Sequence, residues 1–420
     1  MTTFPNQGVV FLPVGTGDST TVVVDEEHVL QIDLHHMADA DTDGSTHAPV
    51  IDLLAETLPQ RDGKPYLAVF ALTHADADHC QGFSAFLDSD ILIGELWATP
   101  RLWREYAEAK VSLCEDAQQF HAEAQRRVKA SLAHLKADRA IPSGDRLRVI
   151  GYDRDRDDAE HPYHDLPAAQ LSYPGDLITL LDGEDVSDHF EAFIHAPFKD
   201  DCAEARNDTS LAMQVTLKCD ETIGRILLLG DLAYPTISRI FDITNNSKNS
   251  ERLTWDILLA PHHCSKKVMY EPTGDGDEEM KQDLLDAFEE HRGASAYIIA
   301  SSEPIPAKNK AGANPPHAKA KARYEELGID AFLCTEEYGG TDTPQPIVFA
   351  LLPEEGLVLQ PLQAHDEKAA RGVGILAALG LGLAAVGGAF AVREAIRQAR
   401  GTDAAPVRAV GFGRGGQYQE

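Results

Sequence analysis

The apolar run Leu67 to Leu72 leads directly into Thr73-His74-Ala75-Asp76-Ala77-Asp78-His79. Four potential ligands stand within six residues where a strand-like segment gives way to a turn. Imidazoles and carboxylates crowded at one strand end carry a charge that a cation repays. A solvated acidic turn is the plainer alternative, but two histidines bracketing two alternating aspartates set this segment apart from an ordinary surface loop.

Further apolar runs bounded by turn residues read as strands: Gly8 to Val14, Thr20 to Val24, Val29 to Ile32, Leu211 to Leu217, Arg225 to Leu229, Ile257 to Leu259, Ala296 to Ala300 and Ile347 to Leu352. Helical patterns lie between them, the longest from about Trp103 to Ala137, with others at Asp283 to His291 and Ala318 to Leu327. The alternation predicts an α/β chain, sheets with helices packed on them.

Two more strand ends carry chemistry. Gly230-Asp231 closes the run Arg225 to Leu229, where a carboxylate can leave the sheet edge toward a site; a helix N-cap is the plain reading. His262 and His263 follow Trp255 to Ala260 in the same way. Adjacent imidazoles diverge, so one of the pair can join the first cluster while the other faces substrate or supports a ligand. Two surface histidines are the alternative.

Together these pieces resemble the metallo-β-lactamase superfamily in its ComEC-like branch, named for the nuclease-like domain of DNA-uptake channel proteins. His74-x-Asp76-x-Asp78-His79 is similar to the superfamily signature with Asp for the second His. Val14-Gly15-Thr16-Gly17-Asp18-Ser19 and Val29-Leu30-Gln31-Ile32-Asp33 resemble the branch's opening strands. Asn207-Asp208-Thr209-Ser210-Leu211, Gly230-Asp231, Pro261-His262-His263-Cys264-Ser265 and Asn314-Pro315-Pro316-His317 resemble its later elements, in the same order. The match runs from about residue 8 to 360. It implies a four-layer αββα sandwich over residues 1–365 and two divalent ions, Mn²⁺ or Zn²⁺.

By that resemblance one metal takes His74 and Asp76, the other Asp78, His79 and one of His262 or His263, with His262 favoured, and Asp231 bridges. Asp78, Asp231, His263 and His317 are the implied catalytic residues. Asn207, Ser210, Ser265, Lys266, Lys267 and Asn314 are the implied substrate contacts. Asn207 stands where other branches supply a further His, which leaves the first site rich in oxygen and open to Mn²⁺ or Mg²⁺. Two departures from the branch flank the ligands: Cys80-Gln81 after the acidic cluster, and Cys264 in place of a Gly. Small buried packing is the expectation for both thiols, with soft ligation or redox sensitivity as alternatives.

Charge bears on the substrate. With 37 basic and 68 acidic residues the chain carries −31, which repels nucleic acid at long range. Yet Lys266 and Lys267 follow the His pair, and Lys308 to Arg323 holds five cations and no acid. Local basicity in an acidic body points to a phosphate-bearing substrate, nucleic acid or nucleotide, although a solvated helix face has the same composition. The long helix and the acidic stretch Glu271 to Glu279 read as inserts that shape substrate choice. Asp39-x-Asp41-x-Asp43-Gly44 opens like an EF-hand loop but has Val50 at the twelfth position, so an Asp-rich loop is the better reading. Six cysteines without a C-x-x-C pair give no disulfide framework.

Residues 372–392 hold twenty-one positions without a charged side chain, enough at 1.5 Å per residue to cross a bilayer core of about 30 Å. Twelve are Gly or Ala, so a small-residue helix buried in a homo-oligomer is the alternative to a transmembrane helix. The tail 393–420 has five Arg against three acids. Its basicity would put the tail in the cytoplasm, the missing signal peptide would keep the body there too, and one span cannot satisfy both; the absent signal takes precedence and predicts a single-pass cell-membrane protein with its body in the cytoplasm. The resemblance, the basic flanks and this stretch together imply a membrane-tethered, di-metal hydrolase of phosphodiester bonds. Hydrolysis of a small ester or lipid head group is the enzymatic alternative. A membrane-assembling effector module with a regulatory metal site is the other.

Overall fold

The computed structural model describes residues 4–109, 113–151, 161–198, 207–274, 277–309 and 312–362. Met1–Gln360 forms one compact unit. Of the second unit, which begins at Pro361, only the first two residues are described, so 372–392 and the basic tail lie outside the described residues. Among the described residues no helix is long and apolar enough to cross a membrane.

Two mixed sheets carry the unit. The first runs Gly356–Leu359, Ile347–Leu352, Gly8–Phe11, Thr20–Val23, Val29–Ile32, Lys64–Ala71, Leu92–Ala98, Arg146–Ile150, Leu171–Ser172, antiparallel up to Val29–Ile32 and parallel beyond it. The second runs Ala331–Cys334, Arg292–Ala300, Trp255–Leu259, Thr222–Leu228, Ala212–Cys219, Phe190–Ala196, Leu177–Ile178, parallel across its first four strands and antiparallel across the rest.

Period-two alternation sorts the side chains into layers. Val9 and Phe11 join Val69, Met213, Val215, Ile226 and Ile257 in an apolar layer between the sheets. Val10 and Leu12, one residue out of phase, pack instead with Phe70 against Val50, Phe83, Phe86 and Phe120 of the helices covering the first sheet. Leu227, Leu258 and Ile298 face Ile237, Ile240, Leu284 and Phe288 of the helices on the second. Helix, sheet, sheet, helix is thus the order of layers. Phe70 sits with ring centroids 5.1, 5.7 and 5.9 Å from Phe83, Phe86 and Phe120, so its truncation to Ala would cost about 3–5 kcal/mol.

The fold departs from the sequence reading in two places. The single helix expected from Trp103 to Ala137 is two, Arg101–Ala109 and Glu115–Lys136. Cys114, in extended conformation, caps the second by accepting from Ala117 N–H, and two acids open its first turn. Three core strands, Leu92–Ala98, Arg146–Ile150 and Phe190–Ala196, escaped the apolar-run criterion. Each is interrupted by a polar residue that is buried with a partner: Glu95 and Arg148 lie 3.4 Å apart, and His195 Nε2 lies 3.0 Å from the Arg252 carbonyl.

Parallel strands place the loops that follow them on one sheet edge, where α/β proteins gather their chemistry. Val29–Ile32 and Lys64–Ala71 deliver Asp33 and Thr73–His79. Thr222–Leu228, Trp255–Leu259 and Arg292–Ala300 deliver Asp231, His262–His263 and Ser301. A hydrogen bond from Leu211 N–H to the Thr73 carbonyl, 3.0 Å, stitches the two edges together.

Candidate metal centre

Asp231 occupies the middle of the group. It is buried, and its two oxygens face different imidazoles: Oδ1 lies 3.2 Å from His79 Nε2 and 3.4 Å from His263 Nε2, while Oδ2 lies 3.7 Å from His74 Nε2 and 3.8 Å from His262 Nε2. Asp76 Oδ2 approaches His74 Nε2 at 3.4 Å, and Asp78 Oδ2 approaches His263 Nε2 at 3.4 Å. The backbone holds Asp231 in place: Ser210 Oγ donates to the Asn207 carbonyl at 2.8 Å and accepts from Asp231 N–H at 3.3 Å. Gly230 is required there, because its φ is +52° and a Cβ would meet Ser210 Cβ at 2.7 Å.

Three imidazoles are anchored from behind. His74 Nδ1 meets Thr73 Oγ1 at 3.1 Å, His79 Nδ1 meets Asp33 Oδ2 at 2.7 Å, and His263 Nδ1 meets the Ser301 carbonyl at 3.1 Å. Ring nitrogens held at Nδ1 leave Nε2 for the centre, as metal-binding histidines are arranged. His79 Nε2 and His263 Nε2 stand 3.2 Å apart. His74 Nε2, Asp231 Oδ1 and His262 Nδ1 are buried without a hydrogen-bond partner among the described residues.

These orphaned atoms test the group for metal. Burial penalises the imidazolium of His79, yet the carboxylates of Asp231 and Asp33 hold its pKa well above the usual histidine value. Burial likewise opposes charge on His263, and Asp231 and Asp18 outweigh it. The Asp231 carboxyl, despite its burial, is held well below the carboxylate range by His263 and His79. Carboxylates that favour positive charge at this point suit a cation whose ligands release their protons. The residues fit divalent metal, with His74, Asp76, Asp78, His79, Asp231 and His263 as the donors that converge.

One ligand atom each from Asp18, His79, Asp231 and His263 lie within 4.8 Å of one another. Asp18 was not among the residues expected to bind metal. Its oxygens face the Nδ1 sides of His263 (3.6 Å) and His79 (3.9 Å), so it steadies both rings from behind. The signal in the sequence was Gly17: a Cβ there would strike His35 Nδ1 at 2.1 Å and the Asp78 carbonyl at 2.6 Å, and only a bare backbone lets Asp18 N–H reach that carbonyl at 3.0 Å.

The two adjacent histidines lie on different sides of Asp231. His263, rather than the favoured His262, stands beside Asp78 and His79. His262, His263 and Cys264 all adopt left-handed backbone, φ 51°, 53° and 64°. Such a turn costs about 1–2 kcal/mol per non-glycine residue and swings the two imidazoles to opposite oxygens of Asp231. Burial lowers the His262 pKa, which keeps that ring neutral.

Other expected residues take other positions. Both ring nitrogens of His317 are committed to backbone: Lys266 N–H donates to Nδ1 at 3.3 Å, and Nε2 meets the Ala313 carbonyl at 3.1 Å. With its own N–H on the Cys264 carbonyl at 3.1 Å, His317 braces the left-handed turn. Ser265 is buried and accepts from Lys267 N–H, capping a turn. Asn207 Nδ2 donates to Asp231 Oδ2 at 3.2 Å. Lys266 is paired with Glu278, which also holds Lys319 at 3.0 Å; Lys267 and Asn314 are exposed.

No family model matches the chain, and no curated protein does. Among solved structures similar to it are the metallo-β-lactamase fold protein YhfI from Bacillus subtilis, at 11% identity and TM-score 0.33, covering 78% of this chain and 95% of that one. The class B3 di-zinc metallo-β-lactamase LRA-12 from an Alaskan soil metagenome is similar at 14% identity and TM-score 0.29, covering 69% and 89%. A diphosphatase from the PhnP family is similar at 11% identity and TM-score 0.30, covering 82% and 87%. At these values the likeness carries no weight on activity, which has to be argued from the site itself.

Proposed function

We propose that this protein is a di-metal hydrolase of phosphodiester bonds, in nucleic acid or a nucleotide, tethered to the membrane through residues 372–392. The observation that supports it most is Asp231, one buried carboxylate whose two oxygens serve two separate imidazole pairs. That is the arrangement of a bridging ligand. His74 and Asp76 would hold one ion, and Asp78, His79 and His263 the other, Mn²⁺ or Zn²⁺. Bound as a pair, such ions acidify a water and stabilise charge on both the attacking and the leaving oxygen.

The chain supplies the rest. Asp33 and Asp18 orient the His79 and His263 rings, and Asn207 holds the Asp231 oxygen that faces His74. His262, kept neutral beside Asp231, lies where it can steer a substrate oxygen. Lys266 and Lys319 share Glu278, and a substrate phosphate competes with that carboxylate for them. The span 372–392, with small residues on two stripes, supports single-pass insertion and self-association.

Elemental analysis of the purified full chain, with a turnover screen against single-stranded DNA, RNA, cyclic nucleotides and model phosphodiesters, tests the reading. Two ions per chain and phosphodiester turnover are expected. Turnover confined to carboxylic esters would replace the substrate class, and metal without any turnover would favour the assembly module.

A further inference from the structure

Cys80 directly follows His79 at the end of the short helix Ala77–Cys80, which carries Asp78 and His79. Its buried Sγ lies 3.6 Å from Cys114 Sγ, the half-buried cap of the 22-residue helix Glu115–Lys136. The two thiols sit where that helix is docked on the metal-binding turn. Asp116 accepts from Gly82 N–H at 2.8 Å, Ser84 N–H at 2.8 Å and Ser84 Oγ at 2.6 Å, so the helix end and the turn move as one piece. Cys80 Sγ also lies 3.1 Å from the Asp76 carbonyl, so its single S–H is shared between that oxygen and Cys114 Sγ. Nothing in hydrolysis needs either sulfur.

We propose that Cys80 and Cys114 form a reversible disulfide that couples oxidation to the metal centre. The oxidant is a hydroperoxide. Cys114, the more accessible sulfur, attacks the peroxide O–O bond, taking one oxygen as sulfenic acid while the other leaves as alcohol or water. Cys80 then attacks that sulfur, the S–S bond forms, and the sulfenic oxygen leaves as water. Two sulfurs have each lost one electron, and the peroxide has taken both. The hydrogen bond from Cys80, followed by that from Ala117 N–H, favours charge on Cys114 and brings its thiol down to about 6, against the opposing effect of its partial burial.

Bond formation shortens the Sγ separation from 3.6 Å to about 2.05 Å. The sulfur of Cys80 must then leave the Asp76 carbonyl, and the last turn bearing Asp78 and His79 shifts toward the long helix. Groups that orient metal ligands change affinity by about 10- to 100-fold when disturbed, and the effect expected here is on that order.

The test uses the full chain with Zn²⁺ as the metal. After treatment with hydrogen peroxide, unreduced peptide mapping should find the peptides of Cys80 and Cys114 joined, two hydrogens lighter than the pair, and dithiothreitol should separate them. Oxidised protein should lose Zn²⁺ to a chelator on the order of tenfold faster than reduced protein. Cys114→Ser, in which serine keeps the helix cap, should show neither the link nor the faster loss. A map in which Cys114 stops at sulfenic or sulfinic acid with Cys80 free would overturn the disulfide. A link that leaves Zn²⁺ release unchanged would overturn the coupling. Both readouts hold whatever bond the site hydrolyses.

Discussion

Asp33 Oδ2 lies 2.7 Å from His79 Nδ1. The same oxygen accepts from Thr73 Oγ1 and the other from Thr73 N–H, each at 2.7 Å, so one carboxylate ties Thr73, just past the strand Lys64–Ala71, to the imidazole six residues beyond it. Asp33 does this from left-handed backbone, φ 58°, a conformation that Asp tolerates better than most residues. Asp33→Asn puts an N–H group where one of these donors now points. Metal affinity should fall about 10- to 100-fold, measured by chelator competition; an unchanged affinity would show that His79 needs no orienting group.

Asp78 faces the centre from its open side, with 37% of its side chain exposed. Its loss therefore costs little packing. Asp78→Ala should reduce phosphodiester turnover by about 100-fold or more while the unfolding midpoint moves little. Full biological activity in a variant that no longer binds metal would count against hydrolysis as the function.

Glu278 joins Lys266 and Lys319 in one ion-paired group, and the two lysines hold its carboxyl below the ordinary range. Glu278→Gln releases both ammonium groups. If they hold substrate phosphate, KM should drop several-fold with kcat nearly unchanged, since binding that is equal in ground and transition states moves KM alone. Steady-state kinetics with and without added salt would decide it: a KM that stays put, or rises, removes these lysines from the substrate site.

His195 is buried between Thr244 Oγ1 and the Arg252 carbonyl, and desolvation brings its pKa down from 6.5 to about 4. The unfolded chain takes up a proton near pH 6.5 that the folded chain refuses until about pH 4. Stability from this residue is therefore complete above pH 6.5 and is lost as the pH falls toward 4, by about 3 kcal/mol in all. Urea unfolding of wild type and His195→Gln at pH 7 and pH 4.5 should show the smaller decline in the variant. Equal declines would mean that the ring is protonated in place.

Full-length protein should sediment with membranes and resist extraction by high salt, whereas a chain ending at Gln363 should not. Salt screens surface charge but does not remove a spanning helix. A full-length monomer that stays in solution without detergent would refute the tether.

Sequence legibility followed the distance between interacting residues. His74 to His79 could be read because four donors are neighbours in the chain and emerge from one strand. Asp18 and Asp33 were visible as parts of the opening strands, but their work on His79 and His263 depends on contacts across the fold. The choice between His262 and His263 turns on three consecutive positive φ angles, which side-chain chemistry does not announce. Those angles also explain the glycine that the resembled branch has where this chain has Cys264. The basic residues near the site read as unpaired charge until folding brought Glu278 of the acidic insert onto Lys266 and Lys319. Strands such as Leu92–Ala98 were hidden by buried polar residues whose partners lie on other strands.

The facing nitrogens of His79 and His263 are separated by 184 positions along the chain. Asp18, near one end of the unit, touches both, and Asp231 lies between them. Four of its donors, His74 to His79, are close in the chain, but Asp231 and His263 reach them from far away in sequence. The full set comes together once both sheets have closed upon each other, so ions held there would favour the finished molecule over its parts, with their binding energy spread over the whole unit. Ligation would act as a clasp fastened last. A cell short of the right metal would therefore hold a population of this protein that opens more often and as a whole, which makes metal supply a determinant of how long each copy survives.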